Sequence, residues 1–221
     1  MSDPAIPSIF DKPPIFNKIV CLGRSFRDHA LELGHAVPTA PLFFLKAPSA
    51  VIGPGMPIRL PPQSTEVHHE AEVAVIIGTR LSRCTAAEAE AGIAAWTALN
   101  DVTARDLQRA DGGRFTRAKG FDTFCPISDV RIADLPWRQC RVQCFVNGAV
   151  RQDGALADLM WTPGEALAAI SQVMALLPGD VVSLGTPAGV AAIVAGDTVE
   201  VRLVGPQGEA LVRLINPVEA S

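Results

Sequence analysis

The sequence predicts an α+β fold, a mixed β core with a few helices packed outside it. Short Val/Ile-rich runs bounded by Gly and Pro outnumber helical periodicities along the chain. Hairpin turns also outnumber strand–helix–strand units, which argues against an all-parallel sheet. A hydrophobic share of 48 % and a mean hydropathy of +0.26 suit a 221-residue chain with a sizeable core.

Residues 1–17 carry Pro4, Pro7, Pro13 and Pro14 without periodicity and read as an N-terminal arm; 18–221 reads as one domain. Lys18–Leu22 is a buried-type strand broken by Gly23. Ser25 and Asp28 have capping-box spacing, opening a short helix through Leu33 that Gly34 ends. On that helix His29 and Glu32 stand at i and i+3, on one face. A carboxylate beside an imidazole fixes its tautomer and raises its basicity, as a general base requires; an ordinary surface pair has the same spacing. Leu42–Leu45 is the next strand, followed by Lys46, and the Gly/Pro-rich stretch 47–62 holds one short strand, Ile58–Leu60.

The run Val67–Gly78 is predicted as a single strand after its histidines. Alternation points Glu70 and Glu72 the same way, ~7 Å apart at roughly 3.3 Å per residue. Two carboxylates entering so apolar a strand either mark a solvated strand end or face a hard divalent cation, which prefers oxygen donors. Thr85–Glu88 is a capping box for an Ala/Glu-rich helix running to about Ala95. Trp96–Asn100 then forms a strand that delivers Asp101, a third oxygen donor. Val102–Gln108 reads as one or two helical turns with Arg105 and Gln108 on one side.

Lys119, flanked by Ala118, Gly120 and Phe121, suits a pocket better than a lysine in a charged run would. Arg141–Val146 and Ala149–Gln152 close on Asn147-Gly148 as a type I′ hairpin. Thr162-Pro163-Gly164-Glu165 combines an N-cap, Pro at N1 and Glu at N3. The helix it opens carries Leu167, Ile170, Val173, Met174 and Leu177 toward the body, and Pro178-Gly179 stops it. Val181–Leu184 runs into Gly185–Gly189, whose N–H groups and Thr186 hydroxyl make either an anion nest or a plain tight turn. Thr198–Val204 and Glu209–Leu214 form a closing pair.

A net charge of −4 leaves no basic footprint for nucleic acid. No apolar run reaches ~18 residues, so no membrane span is expected. The first residues lack the basic-then-apolar order of a signal peptide. Five cysteines without a CxxC read as reduced thiols of a cytoplasmic protein. Dinucleotide, P-loop, zincin and serine-elbow motifs are missing.

Taken in order, His68-His69-Glu70-Ala71-Glu72, Asn100–Asp106, Lys119–Asp122 and Gly185–Val190 resemble the motifs of the fumarylacetoacetate hydrolase family. Gly23–His29 is similar to that family's lid segment, and the likeness extends from about Lys18 to Val204. It is nearest the short, acylpyruvase-like members that have the catalytic domain alone. The resemblance implies a mixed β-sandwich roll with a metal at one mouth, usually a homodimer. By the same resemblance Glu70, Glu72 and Asp101 are the Mg2+ or Mn2+ ligands, and His29 and Glu32 the acid–base dyad. Lys119 and Gln108 then line the reacting carbonyl, and Arg24, Arg105, Thr186 and Gly185 bind the substrate. The expected activity is metal-dependent hydrolysis of a C–C bond in a 2,4-diketo acid such as an acylpyruvate. Two alternatives accompany it: decarboxylation or isomerisation of a small anionic 2-oxo acid at the same site, and a β-rich binding module with a structural cation. Ser25-Phe26 stands where Asn-Tyr is usual, and Ala191 where Gly is common, which bears on substrate choice.

Overall fold

The computed structural model describes residues 18–32, 34 and 36–221, so the arm expected over 1–17 and the helix end at Leu33 lie outside the described residues. In chain order the first elements are β1 (Ile19–Gly23), α1 (Arg27–Glu32), β2 (Leu42–Lys46), β3 (Val51–Ile52), β4 (Ile58–Leu60) and β5 (Val67–His68). Next come β6 (Ala71–Ile77), α2 (Ala86–Ala91), β7 (Ile93–Asn100), β8 (Thr103–Ala104), α3 (Arg105–Ala110), α4 (Thr116–Lys119) and β9 (Cys125–Pro126). The chain closes with β10 (Arg141–Val146), β11 (Ala149–Ala155), α5 (Pro163–Val173), β12 (Val181–Ser183), β13 (Thr198–Val204) and β14 (Ala210–Ala220).

Two five-stranded sheets carry the architecture, ordered β2-β1-β12-β6-β7 and β11-β10-β13-β14-β4. Only β1–β12 and β14–β4 run parallel within them. Strand β6 shows how they pack. Alternation sends Val73, Val75 and Ile77 into the core shared with Val142, Cys144, Val201 and Leu214 of the second sheet. Glu72 and Ala74 point to the opposite face, where Ile19, Cys21, Leu99 and Val181 form a second apolar cluster. A strand covered on both sides reads as a nearly continuous apolar run, which is what 71–77 is. Each fully buried Val or Ile there contributes about 1.5–3 kcal/mol. The result is the mixed α+β sandwich that the sequence predicts, with few helices and those outside.

Local signals hold where they are strong. Asn147 and Gly148 take φ of 52° and 79°, as a type I′ turn requires. Thr85 and Thr162 both cap their helices through complete capping boxes with Glu88 and Glu165.

Three expectations are corrected, and one is found as stated. The strand expected after the histidines is β6, paired with β7, and Val67–His68 add the short strand β5, paired with β8. Helix α2 stops at Gly92 instead of Ala95, because Ile93–Ala95 pair with Ile76 and Ile77 in the sheet and tertiary pairing outweighs alanine's helical propensity. Helix α5 ends at Val173, which is 69 % exposed; Met174 turns extended and Leu176 instead exchanges backbone hydrogen bonds with Leu81. Ser25 does not cap α1, since its hydroxyl donates to Leu184 O at 2.5 Å. Among the described residues no helix is long and apolar enough to cross a membrane.

Candidate active site

Two strand breaks that lie side by side build the site. The chain leaves the ladder at His69-Glu70, between β5 and β6, and again at Asp101-Val102, between β7 and β8. Asp101 N donates to Glu70 O at 2.8 Å, and Glu70 N donates to Asn100 Oδ1 at 2.9 Å. The Asn100 side chain thus supplies a bond that the ladder does not, leaving no orphaned backbone donor at Glu70. The acids are presented together while their backbones stay satisfied.

Glu70, Glu72 and Asp101 are at most 4 % exposed, and so is Lys46 or Lys119; Arg105 is 5 % exposed. Three buried carboxylates therefore face three buried cations, a formal balance of zero before any ligand arrives. Lys119 Nζ donates to Glu70 Oε2 at 2.7 Å and to Asp101 Oδ2 at 2.5 Å. Arg105 grips Glu70 Oε1 at 2.5 Å and Gln108 Oε1 at 2.6 Å. Lys46 Nζ reaches Asp101 Oδ1 at 2.6 Å and Lys119 O at 2.7 Å. Phe44 and Phe115, stacked at 4.4 Å, wall this cluster, and Lys119 Nζ lies 5.1 Å from the Phe44 ring centre.

The protonation pattern follows from these contacts. Burial pushes the Glu70 carboxyl up, but Lys119 and Arg105 outweigh it and hold the group well below its ordinary range. Burial works against charge on Lys119, and Asp101 and Glu70 overcome it, leaving its pKa raised. Glu72 is different. It accepts from the Ser183 hydroxyl and from Gly185 N, yet forms no ion pair among the described residues. Burial, then the charges of Asp101 and Glu70, push its carboxyl well above the ordinary value.

A divalent cation beside Glu72 and Asp101 would favour the ionised form of Glu72. Ligand atoms of Glu72, Asp101 and Cys21 lie within 4.8 Å of one another. Hard cations take carboxylate oxygen in preference to sulfur, and burial, reinforced by Asp101, drives the Cys21 thiol well up toward its protonated form. The donor set thus fits a hard metal, with Glu72 and Asp101 as the pair brought together. Glu70, the third expected ligand, belongs to the same cluster but turns its oxygens to Lys119 and Arg105.

Helix α1 brings the dyad. His29 is 4 % exposed, with Nδ1 3.3 Å from Glu32 Oε2, and Gly189 N donates to Glu32 Oε1 at 2.9 Å. Burial, aided by Arg105, lowers the His29 pKa and favours the neutral imidazole. His29, Glu70, Glu72, Arg105, Gln108, Lys119 and Thr186 all line one cavity of about 20 Å³, room for roughly one water. As it stands, the cavity has no room for a larger molecule. Gly185 takes φ of 93°, and a Cβ there would stand 1.9 Å from Ser25 Oγ, so only glycine lets the 185–189 loop approach the lid.

Arg24 lines the cavity from a left-handed backbone, φ 56°, and pairs with no carboxylate among the described residues. Backbone strain of that kind in a non-glycine residue concentrates at functional sites. Arg24, Arg105 and Gln108 also line an adjoining pocket of about 560 Å³ together with His68 and Arg109. Arg105 Nε and His68 Nδ1 are buried without a hydrogen-bond partner among the described residues.

The structure therefore gathers the expected site residues around one locus; Asp101, Glu32 and Gly185 do not line the cavity, and Glu32 reaches it only through His29 from an exposed position on α1. Lys46, Asn100, Ser183 and Gln152 are contributors that the sequence reading missed. Lys46 had a signal, because two positions after Phe44 on one strand it shares that residue's face. For the others the contact is made only by folding.

Residues 18–219 match the model of the fumarylacetoacetate (FAA) hydrolase C-terminal domain, and the chain belongs to this family. A Mycobacterium tuberculosis protein is 42 % identical over 209 residues, covering 93 % of this chain and 77 % of its own. The crystal structure of 5-carboxymethyl-2-hydroxymuconate delta-isomerase from Mycobacterium smegmatis superposes with a TM-score of 0.84 at 41 % identity, covering 94 % of this chain and 80 % of that one. Human mitochondrial oxaloacetate tautomerase FAHD2A is 38 % identical over 180 residues; the match covers 79 % of this chain and 57 % of that protein's length.

Proposed function

We propose that this chain catalyses metal-dependent proton transfer on a 2-oxo dicarboxylic acid, interconverting keto and enol forms or shifting an adjacent double bond. The observation that carries the reading is a buried His29, its pKa lowered by burial, lining the same cavity as Lys119 and Arg105. Glu32 holds Nδ1, which leaves Nε2 with the lone pair a base needs. In this scheme His29 removes the C3 proton, and negative charge develops on the C2 oxygen. Lys119 stands to stabilise that oxygen, as does the Gln108 amide, whose own oxygen is taken by Arg105 so that its NH2 remains to donate. Donors of this kind are worth roughly 3 kcal/mol each. Return of the proton to carbon or oxygen completes the isomerisation. A bound Mg2+ or Mn2+, held by Glu72 and Asp101 with Glu70 beside them, would supply Lewis-acid stabilisation of the same charge.

The second carboxylate is supported by the adjoining pocket, lined by Arg105 and by Arg24, which has no carboxylate partner among the described residues, and large enough for the rest of such a molecule. Oxaloacetate and hydroxymuconates, the compounds in two relatives' names, carry both acid groups. Hydrolysis of an acylpyruvate is the second reading, favoured by the His29–Glu32 pair, which is equally suited to activating water. A cytoplasmic setting is supported by five unpaired cysteines, and a homodimer remains part of the proposal, checked by light scattering on eluted protein.

Mixing the protein and Mg2+ or Mn2+ with oxaloacetate and, separately, with acetylpyruvate tests the reading. Faster equilibration of the oxaloacetate enol without loss of carbon supports isomerisation, release of CO2 supports decarboxylation, and acetate from acetylpyruvate supports hydrolysis. A binding module would do none of these.

A further inference from the structure

Gln152 belongs to β11 in the second sheet, yet it is 1 % exposed and reaches across to the ligand strand and the 185–189 loop. All four positions of its amide are used. Oε1 accepts from His69 Nδ1 at 2.9 Å and from Ala71 N at 3.0 Å. Nε2 donates to Thr186 Oγ1 at 2.7 Å and to Pro187 O at 2.8 Å. The orientation follows from chemistry, because Ala71 N can only donate and Pro187 O can only accept. Turning the amide over would set donor against donor and acceptor against acceptor.

Two consequences reach the site. His69 must carry its proton on Nδ1, since that atom faces an acceptor. Thr186 Oγ1 accepts a hydrogen bond from Gln152 Nε2, and its own O–H donates to Ala71 O, 2.9 Å away. Gln152 thus holds both residues flanking Glu70 and, at the same time, the Thr186 side chain that lines the cavity. The same strand backs the loop sterically. A Cβ on Gly154 would come within 2.5 Å of Pro187, and one on Gly189 within 2.2 Å of Arg151 O.

We propose that Gln152 is a positioning residue that sets the spacing and hydroxyl direction between the Glu70 segment and Thr186. This rests on the reading above of a 2-oxo acid bound in the cavity that Thr186 lines. It acts through Thr186 and His69 and touches no substrate atom itself.

The test uses the full chain, oxalate as a stable probe, and two variants, Gln152→Leu and Gln152→Glu. Gln152→Glu keeps the acceptors for Ala71 N and His69 but loses both donors. In folded variants the Kd for oxalate on Mn2+-loaded protein should rise at least tenfold, with KM for the 2-oxo acid rising in parallel and Mn2+ affinity shifting less than threefold. Nitrogen NMR of wild-type His69 should show the Nδ1–H tautomer. Oxalate Kd and KM within twofold of wild type in either folded variant would overturn the proposal. So would the Nε2–H tautomer in wild type, which decides the matter even where neither variant folds. If the wild-type protein binds no oxalate, the 2-oxo acid reading fails instead, and the tautomer still judges Gln152.

Discussion

The Lys46 ammonium lies 2.6 Å from Asp101 Oδ1, with side-chain exposures of 0 % and 1 %. Its second bond, to Lys119 O at 2.7 Å, ties the strand end β2 to the residue that bridges Glu70 and Asp101. Neither partner has solvent to fall back on, so the pair is costly to break singly. Lys46→Met should destabilise the fold by about 1–3 kcal/mol, the cost of leaving Asp101 Oδ1 buried without a partner while Lys119 still holds Oδ2. Urea unfolding measures it. A loss below 1 kcal/mol would mean that Lys119 alone neutralises Asp101.

Glu72 should behave in the opposite sense. Its folded pKa is raised, so the folded state holds a proton that the unfolded chain releases near its ordinary value of 4.5. The stability this contributes is present at low pH and is lost as pH rises from there toward the folded pKa. Glu72→Gln should therefore be as stable as wild type or more so at neutral pH without metal, with a flatter pH dependence. Added Mn2+ should raise Tm of wild type and leave the variant nearly unmoved. A Tm rise of equal size in both would remove Glu72 from the metal site.

His29 sets the acid limb of activity. Burial lowers its pKa below 6.5, so the base form prevails at neutral pH and kcat/KM should fall only below that value. Glu32 works to raise the His29 pKa, so Glu32→Gln should move the limb further toward acid. His29→Ala should cost about 10²–10⁴ in rate while Mn2+ still binds. An unchanged acid limb in Glu32→Gln would show that another group titrates.

Arg24 offers a specificity test. Arg24→Met should raise KM for a 2-oxo dicarboxylate at least tenfold, about 1.4 kcal/mol, and leave a 2-oxo monocarboxylate nearly unaffected. Equal effects on both would place Arg24 on the shared end of the substrate.

What could be read from the chain divides by the range of the interaction. The Asn147-Gly148 turn and the Thr162 box are decided within four residues, and both are found as expected. The acidic residues were legible as an ordered set, which is also how the family resemblance arose. The break at Glu70 was not, because the Asn100 amide that satisfies it comes from 30 residues away. Ser25 carried a local capping pattern and spent its hydroxyl on Leu184, 159 residues distant. Val173 and Leu177 kept helical spacing, but the helix gave way where Leu176 found Leu81. Lys46 and Gln152 look like ordinary polar residues at strand positions, and only the packing of remote segments commits them.

The central claim, that a metal-assisted His29 base works on a 2-oxo acid in this cavity, is tested most directly by one measurement. The rate of oxaloacetate enol-to-keto conversion is followed with Mg2+ and with chelator, for wild type, His29→Ala and Glu72→Gln. The account predicts fast conversion by wild type with Mg2+ alone, and at least a hundredfold loss under chelation or in either variant. Wild-type conversion that survives chelator, or a His29→Ala rate equal to wild type, would contradict it.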